Sequence, residues 1–267
     1  MTPGIKWLAS YPKSGNTWAR LFLLNYHMAP DEPILPDALG KIQFCPADDA
    51  EWLIANATGM SPKDMPPPAP FFRLRTAFQQ HYLLWCSSVK RIPYMKTHSP
   101  NLVADHLFRM IDESITEKSV YFIRDPRDVA PSLAAHTGAG HDEIVDKMAS
   151  PSYAVQRPIG TVSPIGNWSE HVKSWEEIAT VIKYEDLPNA FEVMLETFGL
   201  EKDERFDKAV KFTNLETLSK LEDEHGFGEG SNHTKFFGGT KRKLNKPQRE
   251  KIEEAHGDVM RRYGYLT

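Results

Sequence analysis

The stretch LASYPKSGNTWARLFLL, residues 8–24, runs in one sweep from an apolar segment through Tyr11, Pro12, Lys13, Ser14 and Gly15 into a second apolar segment. The first segment begins at Ile5 and is short and continuously apolar, as a strand buried on both faces must be. In the second, Trp18, Leu21 and Phe22 recur at helical spacing, so a helix is expected from Thr17 to Tyr26. A strand that turns directly into a helix leaves the first amides of that helix unpaired, and those of Ser14 to Thr17 make a ready anion site. The pattern is not the standard GxxxxGK[ST] loop: no glycine opens it, and Lys13 stands two residues before Gly15 instead of after it. Taken alone, the segment also fits a plain strand-to-helix turn with an exposed lysine.

Three further apolar runs end abruptly in polar or turn residues: Ile92 to Met95, Val120 to Ile123, and Thr180 to Ile182. Helical patterns fall between and after them, at Asp105 to Asp112, Val129 to His136, Trp168 to Ile178, Asn189 to Phe198 and Asp203 to Phe212. Strands alternating with helices predict an α/β fold with a parallel sheet covered on both faces. Ligands in such a fold sit beyond the carboxyl ends of the strands. Residues 60–70, 138–166 and 226–239 carry too many prolines, glycines and serines for a clear period and are expected to be irregular. With 267 residues, 40% of them hydrophobic, and no internal repeat or linker, the chain is expected to form one domain over residues 1–267.

A net charge of -4 argues against a nucleic-acid binder, which would carry a basic stripe over its surface. Cys45 and Cys86 form no CxxC pair, so neither a zinc site nor a disulfide scaffold is indicated, and no metal is expected. No apolar run reaches the roughly 20 residues of a membrane span, so a soluble, cytoplasmic protein is expected.

Chemistry gathers at the predicted strand ends. Lys96 and His98, two apart on an extended segment, point the same way and pair a cation with a titratable imidazole. In RDPRDVAPS, residues 124–132, Pro131 fits near a first helical turn, so a helix is expected to start close to Asp128 as its N-cap, placing Arg124 and Ser132 to grip one anion. Arg127 and Asp128 are read as a surface pair. Tyr184 follows the last strand, suited either to touching a nucleobase or to core packing, with Glu185 and Asp186 as a charge cluster at a helix start. Cations, a hydroxyl and an imidazole thus converge without a matching set of carboxylates. That composition suits a substrate with fixed phosphates and a transfer that needs no metal.

These residues resemble those of the PAPS-dependent sulfotransferases, of the cytosolic and bacterial small-molecule type, which use 3′-phosphoadenosine 5′-phosphosulfate as donor. YPKSGNTW is similar to that family's 5′-phosphosulfate loop, RDPRDVAPS to its 3′-phosphate motif, KTHSP to the segment with its catalytic histidine, and KYEDL to another recurrent segment. The first and third motifs lie about 110 residues apart, and the likeness runs from Ile5 to about Tyr265. The resemblance implies a P-loop-like three-layer sandwich. It further implies that Lys13 neutralises the oxygen bridging sulfur and the 5′-phosphate, and that Ser14, Gly15, Asn16, Thr17 and Trp18 wrap the 5′-phosphate and adenine side. Arg124 and Ser132 would hold the 3′-phosphate, and Tyr184 and Thr213 would touch the adenine. His98 would take the proton of an acceptor hydroxyl or amine, Lys96 would stabilise the sulfuryl oxygens, and adenosine 3′,5′-bisphosphate (PAP) would leave.

The chain departs from the family pattern near its C-terminus, where Arg-Lys-Gly followed by Gly-Asp-Trp is replaced by HTKFFGGTKRK, residues 233–243. Lys241, Arg242 or Lys243 is expected to complete the 3′-phosphate site, with a solvated basic run as the alternative. The acceptor is expected to be a small molecule; Phe71, Phe72, Phe78, Tyr82 and Trp85 suit an aromatic or hydrophobic one, although Phe78, Tyr82 and Trp85 also have the spacing of a core-facing helix. No dimer motif is evident, so the oligomeric state stays open. Two rival readings are a P-loop nucleotide kinase, which would turn over ATP with Mg²⁺, and a catalytically inactive nucleotide-binding module, which would bind the nucleotide without transfer.

Overall fold

The computed structural model describes residues 4–48, 50–60, 68–104, 108–156, 162–227, 236–237 and 243–267. Its strands are β1 (Ile5–Ser10), β2 (Tyr94–Thr97), β3 (Val103–Ala104), β4 (Phe108–Arg109), β5 (Thr116–Ile123), β6 (Ala154–Gln156), β7 (Val162–Pro164) and β8 (Thr180–Lys183). The helices are α1 (Asn16–Met28), α2 (Ala38–Lys41), α3 (Glu51–Thr58), α4 (Pro68–Ser88), α5 (Pro126–Thr137), α6 (His141–Ala149), α7 (Trp168–Glu176), α8 (Phe191–Thr197), α9 (Glu204–Phe212), α10 (Leu215–His225) and α11 (Lys246–Arg262).

A central four-stranded sheet has the order β2-β1-β5-β8, all parallel. Every residue of β1 is buried, because neighbours pair on both edges and helices cover both faces. Alternation along the strands sorts the core into two layers. Trp7, Ala9, Tyr121 and Ile123 join the layer beneath α4, α5, α6, α7 and α11, whereas Leu8, Val120 and Phe122 join that beneath α1, α8 and α9. The result is the three-layer α/β sandwich with a parallel sheet that the sequence predicts. Among the described residues no helix is long and apolar enough to cross a membrane.

Several elements differ from the sequence reading. The predicted strand Ile92 to Met95 begins at Tyr94 and ends at Thr97, because Pro93 has no N–H for a ladder and Ile92 is exposed. No helix covers Asp105 to Asp112: Val103 and Ala104 pair antiparallel with Arg109 and Phe108, while residues 105–107 lie outside the described residues. Gln79 holds the extended segment that follows, donating Nε2 to Met110 O at 2.8 Å and accepting from Asp112 N–H at 2.9 Å. A buried amide side chain thereby replaces the partner strand. The expected loop over residues 60–70 gives way at Pro68 to the 21-residue α4, since proline is tolerated in a first turn. Residues 61–67 lie outside the described residues, as do the side chains of Phe71 and Phe72. Phe78 and Tyr82 are core residues, and Tyr82 stacks on Trp85 at 5.9 Å, so the core alternative holds there. Within residues 138–166, α6 forms because Ile144, Val145 and Met148 share a buried face, and β6 pairs with β7.

The start of α5 is also earlier than expected. Asp125, not Asp128, is the N-cap, accepting from Arg127 N–H at 2.8 Å, and Pro126 takes the first helical position. Pro131 therefore stands in the second turn. Arg127 pairs with Asp125 and Glu253 instead of with the exposed Asp128.

Replacing Gln79 by leucine leaves Met110 O and Asp112 N–H without their buried partner. The expected loss is about 2 kcal/mol in urea unfolding, and an unchanged midpoint would remove Gln79 from this role.

Candidate active site

The chain leaves β1 at Ser10 and enters α1 at Asn16 through a turn with two left-handed residues, Lys13 (φ 66°) and Gly15 (φ 103°). Gly15 is required twice over. Its positive φ disfavours any side chain, and a Cβ there would lie 2.9 Å from Tyr184 Cδ2. The turn is braced from several sides. Arg124 donates Nη1 to Lys13 O at 3.0 Å while its guanidinium lies 4.1 Å over the Tyr184 ring. Asn16 donates Nδ2 to Leu8 O at 2.8 Å, so its side chain faces the strand and its backbone amide stays at the helix N-terminus. Ser14 Oγ and Arg124 Nε are buried without a hydrogen-bond partner. A buried hydroxyl beside a helix N-terminus and a braced guanidinium fit an anion in this turn. Lys13 Nζ sits 3.8 Å over the ring of Phe236.

Trp18 and Thr213 meet beneath the turn. The indole Nε1 donates to Thr213 O at 2.6 Å, and the Thr213 hydroxyl donates to Ala209 O at 2.7 Å. The Trp18 ring stands edge-on to Tyr184 at 5.7 Å. Both are buried, so these two side chains form the floor below Gly15 and Tyr184.

Lys96 and His98 line one small recess together with Asp48, Thr97, Ser99 and Ser163. His98 Nδ1 lies 2.9 Å from Ser10 O and 3.2 Å from Ser10 Oγ. Facing a carbonyl requires a ring N–H, so the neutral ring carries its proton on Nδ1 and its lone pair on Nε2. Ser10 thus joins the imidazole to the strand that delivers the Lys13 turn. His171 supports the same segment from beneath, donating Nε2 to His98 O at 3.0 Å and accepting at Nδ1 from Tyr121 OH at 2.9 Å.

Ser132 lies two turns into α5, half-buried and without a side-chain hydrogen bond among the described residues. Lys241 and Arg242 lie outside the described residues, and Lys243 is exposed just ahead of α11. A further support went unread in the sequence. Glu185, assigned there to a helix-start charge cluster, accepts from Asp125 N–H at 3.1 Å and from Tyr265 OH at 3.0 Å, fixing the turn that follows Arg124. Arg127 donates to Asp125 and Glu253, which make its guanidinium hold its proton still more firmly than usual, and it also donates to Tyr265 O. No local sequence pattern marks Glu185 for that arrangement, since its partners Asp125 and Tyr265 lie 60 and 80 residues away. No group of three or more His, Cys, Asp or Glu side chains among the described residues is arranged to hold a metal ion.

Comparison with protein families matches residues 5–264 to the model described as "Sulfotransferase domain". Among curated proteins nothing matches the sequence. Among solved structures, retinol dehydratase in complex with retinol and PAP aligns over 97% of this chain and 82% of its own, with 18% identity and a TM-score of 0.57. The same enzyme with androsterone and the inactive cofactor PAP gives 18% identity, 97% and 81% coverage, and a TM-score of 0.56. Mouse sulfotransferase SULT7A1 complexed with PAP gives 17% identity, 97% and 85% coverage, and a TM-score of 0.54. These likenesses are of fold.

Substituting Gly15 by alanine forces the Tyr184 ring out from under the turn, and anion-dependent thermal stabilisation should be lost while the far-ultraviolet spectrum stays native. Burial lowers His27, His171 and His256 to about 4. The unfolded chain protonates these groups near 6.5 and the folded chain does not, so stability falls as pH drops from about 6.5 towards 4. The melting temperature should decline from pH 7 to pH 5 in calorimetry; a rise would contradict the neutral, buried state of the three rings.

Proposed function

The chain belongs to the sulfotransferase domain family, and from that premise we propose that it transfers a sulfuryl group from 3′-phosphoadenosine 5′-phosphosulfate to a hydroxyl or amine of a small-molecule acceptor, releasing adenosine 3′,5′-bisphosphate. The observation that carries this reading is the position of Ser10. Its carbonyl holds the His98 imidazole, and the chain then turns directly through Lys13 and Ser14 into the amides of α1. A proton acceptor and an anion cradle share one strand end.

When bound, the donor supplies an electrophilic sulfur and a phosphate leaving group. His98 accepts the acceptor proton at Nε2 as the new oxygen–sulfur or nitrogen–sulfur bond forms. Lys13 and the amides of Gly15 to Thr17 stabilise the charge that grows on the departing phosphate as the old sulfur–oxygen bond breaks. Lys96, lining the recess with His98, stabilises the sulfuryl oxygens in passage. Arg124 and Ser132 take the 3′-phosphate, with Lys243, Lys241 or Arg242 adding charge. Trp18, Tyr184 and Thr213 form the adenine side. Glu185 and Asp125 act only by keeping Arg124 in place. Among the described residues no feature favours the kinase reading over this one.

A small-molecule acceptor accords with the androsterone and retinol bound by the structural neighbours. Cys45 and Cys86 are both buried and form no disulfide, which suits a reducing, cytoplasmic compartment.

Adenosine 3′,5′-bisphosphate should raise the melting temperature, and ATP with Mg²⁺ should not; the opposite pattern would sink the reading in favour of the kinase. Replacing His98 by alanine should cut turnover roughly 10³-fold while leaving that stabilisation intact. Arg124→Ala should weaken bisphosphate binding by roughly 10- to 100-fold.

A further inference from the structure

His98 is held by more than its own ring. Residues 46–48 run alongside β2: Lys96 N–H donates to Pro46 O at 2.8 Å, Asp48 N–H donates to Lys96 O at 3.0 Å, and Ala47 pairs with Lys96 in an isolated parallel bridge. That pairing brings the Asp48 carboxylate up to the two residues flanking His98. Thr97 Oγ1 donates to Asp48 Oδ2 at 3.0 Å. Arg75 of α4, wholly buried, donates Nε to the same oxygen at 2.9 Å, and its Nη2 reaches both that oxygen and Ser99 Oγ, the latter at 2.8 Å. Ser99 N–H closes the circuit on Thr97 Oγ1 at 3.0 Å, and Trp175 Nε1 donates to Ser99 O at 3.1 Å.

Stability alone is a poor explanation for an ion pair in this place. Desolvating a carboxylate and a guanidinium offsets most of their attraction, and apolar residues of similar volume serve a fold as well or better. Arg75 Nη1, moreover, is buried with no hydrogen-bond partner, so the pair is not even fully satisfied. What it does achieve is geometric. Both chain neighbours of His98 end on one rigid, buried centre, while the His98 carbonyl is fixed by His171.

We propose that Asp48 and Arg75 are positioning residues for His98, acting through Thr97 and Ser99 to set the ring over Ser10 so that Nδ1 keeps its proton and Nε2 its lone pair. The proposal rests on the reading of His98 as the base. A displacement of an ångström at a proton-transfer site is enough to cost roughly 100-fold in rate, and the four side-chain bonds from Asp48 and Arg75 are what prevent it.

Ser99→Ala removes one link and leaves the fold intact; the double substitution Asp48→Leu with Arg75→Met removes the centre while keeping its volume. Both are compared with wild type and with Ser99→Thr in the full-length chain, by steady-state kinetics and by side-chain ¹⁵N–¹H NMR, with the His98 signals identified by their loss in His98→Ala. The expected result is a kcat roughly tenfold lower in Ser99→Ala, with the KM for the donor and the stabilisation by adenosine 3′,5′-bisphosphate unchanged, a further loss in the double variant, and recovery in Ser99→Thr. The His98 spectrum should change from the Nδ1-protonated tautomer to a mixture of the two. A His98 signal in folded Ser99→Ala identical to that of wild type overturns the proposal, whatever the activity. Should the double variant fail to fold, Ser99→Ala decides alone. A tautomer change in a chain that transfers no sulfuryl group would support the positioning and count against the base assignment instead.

Discussion

The carboxyl end of β1 is the constraint on which the rest of the site depends. A strand buried on both faces and paired on both edges cannot shift its last residue without disturbing two layers of core, so Ser10 is as fixed as any atom in the molecule. From that point the backbone must reverse into α1 within five residues. It does so through the left-handed Lys13 and Gly15, and each neighbouring element is shaped to accommodate the turn. Tyr184 lies close beneath Gly15, Arg124 holds the Lys13 carbonyl, and the His98 ring rests against Ser10 itself.

Charge in this region is arranged by the backbone more than by opposite charges. Arg124 meets a carbonyl and an aromatic face, and Lys13 lies over Phe236. Contacts of this kind orient a cation without themselves adding a countercharge. The acids nearby are spent elsewhere: Asp125 on the α5 N-terminus and Arg127, Glu185 on the amide of Asp125, and Asp48 on Arg75.

How much of this was legible in the sequence follows from the range of the interactions involved. The strand and helix on either side of the Lys13 turn, and the order of basic residues at successive strand ends, are local patterns, and they led to the family and the fold. The start of α5 was misplaced because two prolines competed for the first turn, and propensity alone does not tell which one takes it. The helix expected at Asp105 to Asp112 failed for a different reason: its backbone is held by Gln79, a residue more than thirty positions away whose role no periodicity reveals. The Asp48–Arg75 centre was likewise invisible, since neither residue lies in a motif and each is placed by an element that pairs with β2 or packs over it. Thr213 was found only through the family resemblance; what the structure adds is that its carbonyl, not its hydroxyl, holds Trp18.

The bond from Trp18 to Thr213 spans 195 residues of chain, and that from Arg124 to Lys13 spans 111. Contacts of such separation form late, because loop closure must precede the enthalpy that rewards it. During synthesis the Lys13 turn therefore leaves the ribosome long before the floor and brace that give it shape. The nascent chain carries the recognisable motif before the residues that floor and brace it have been made.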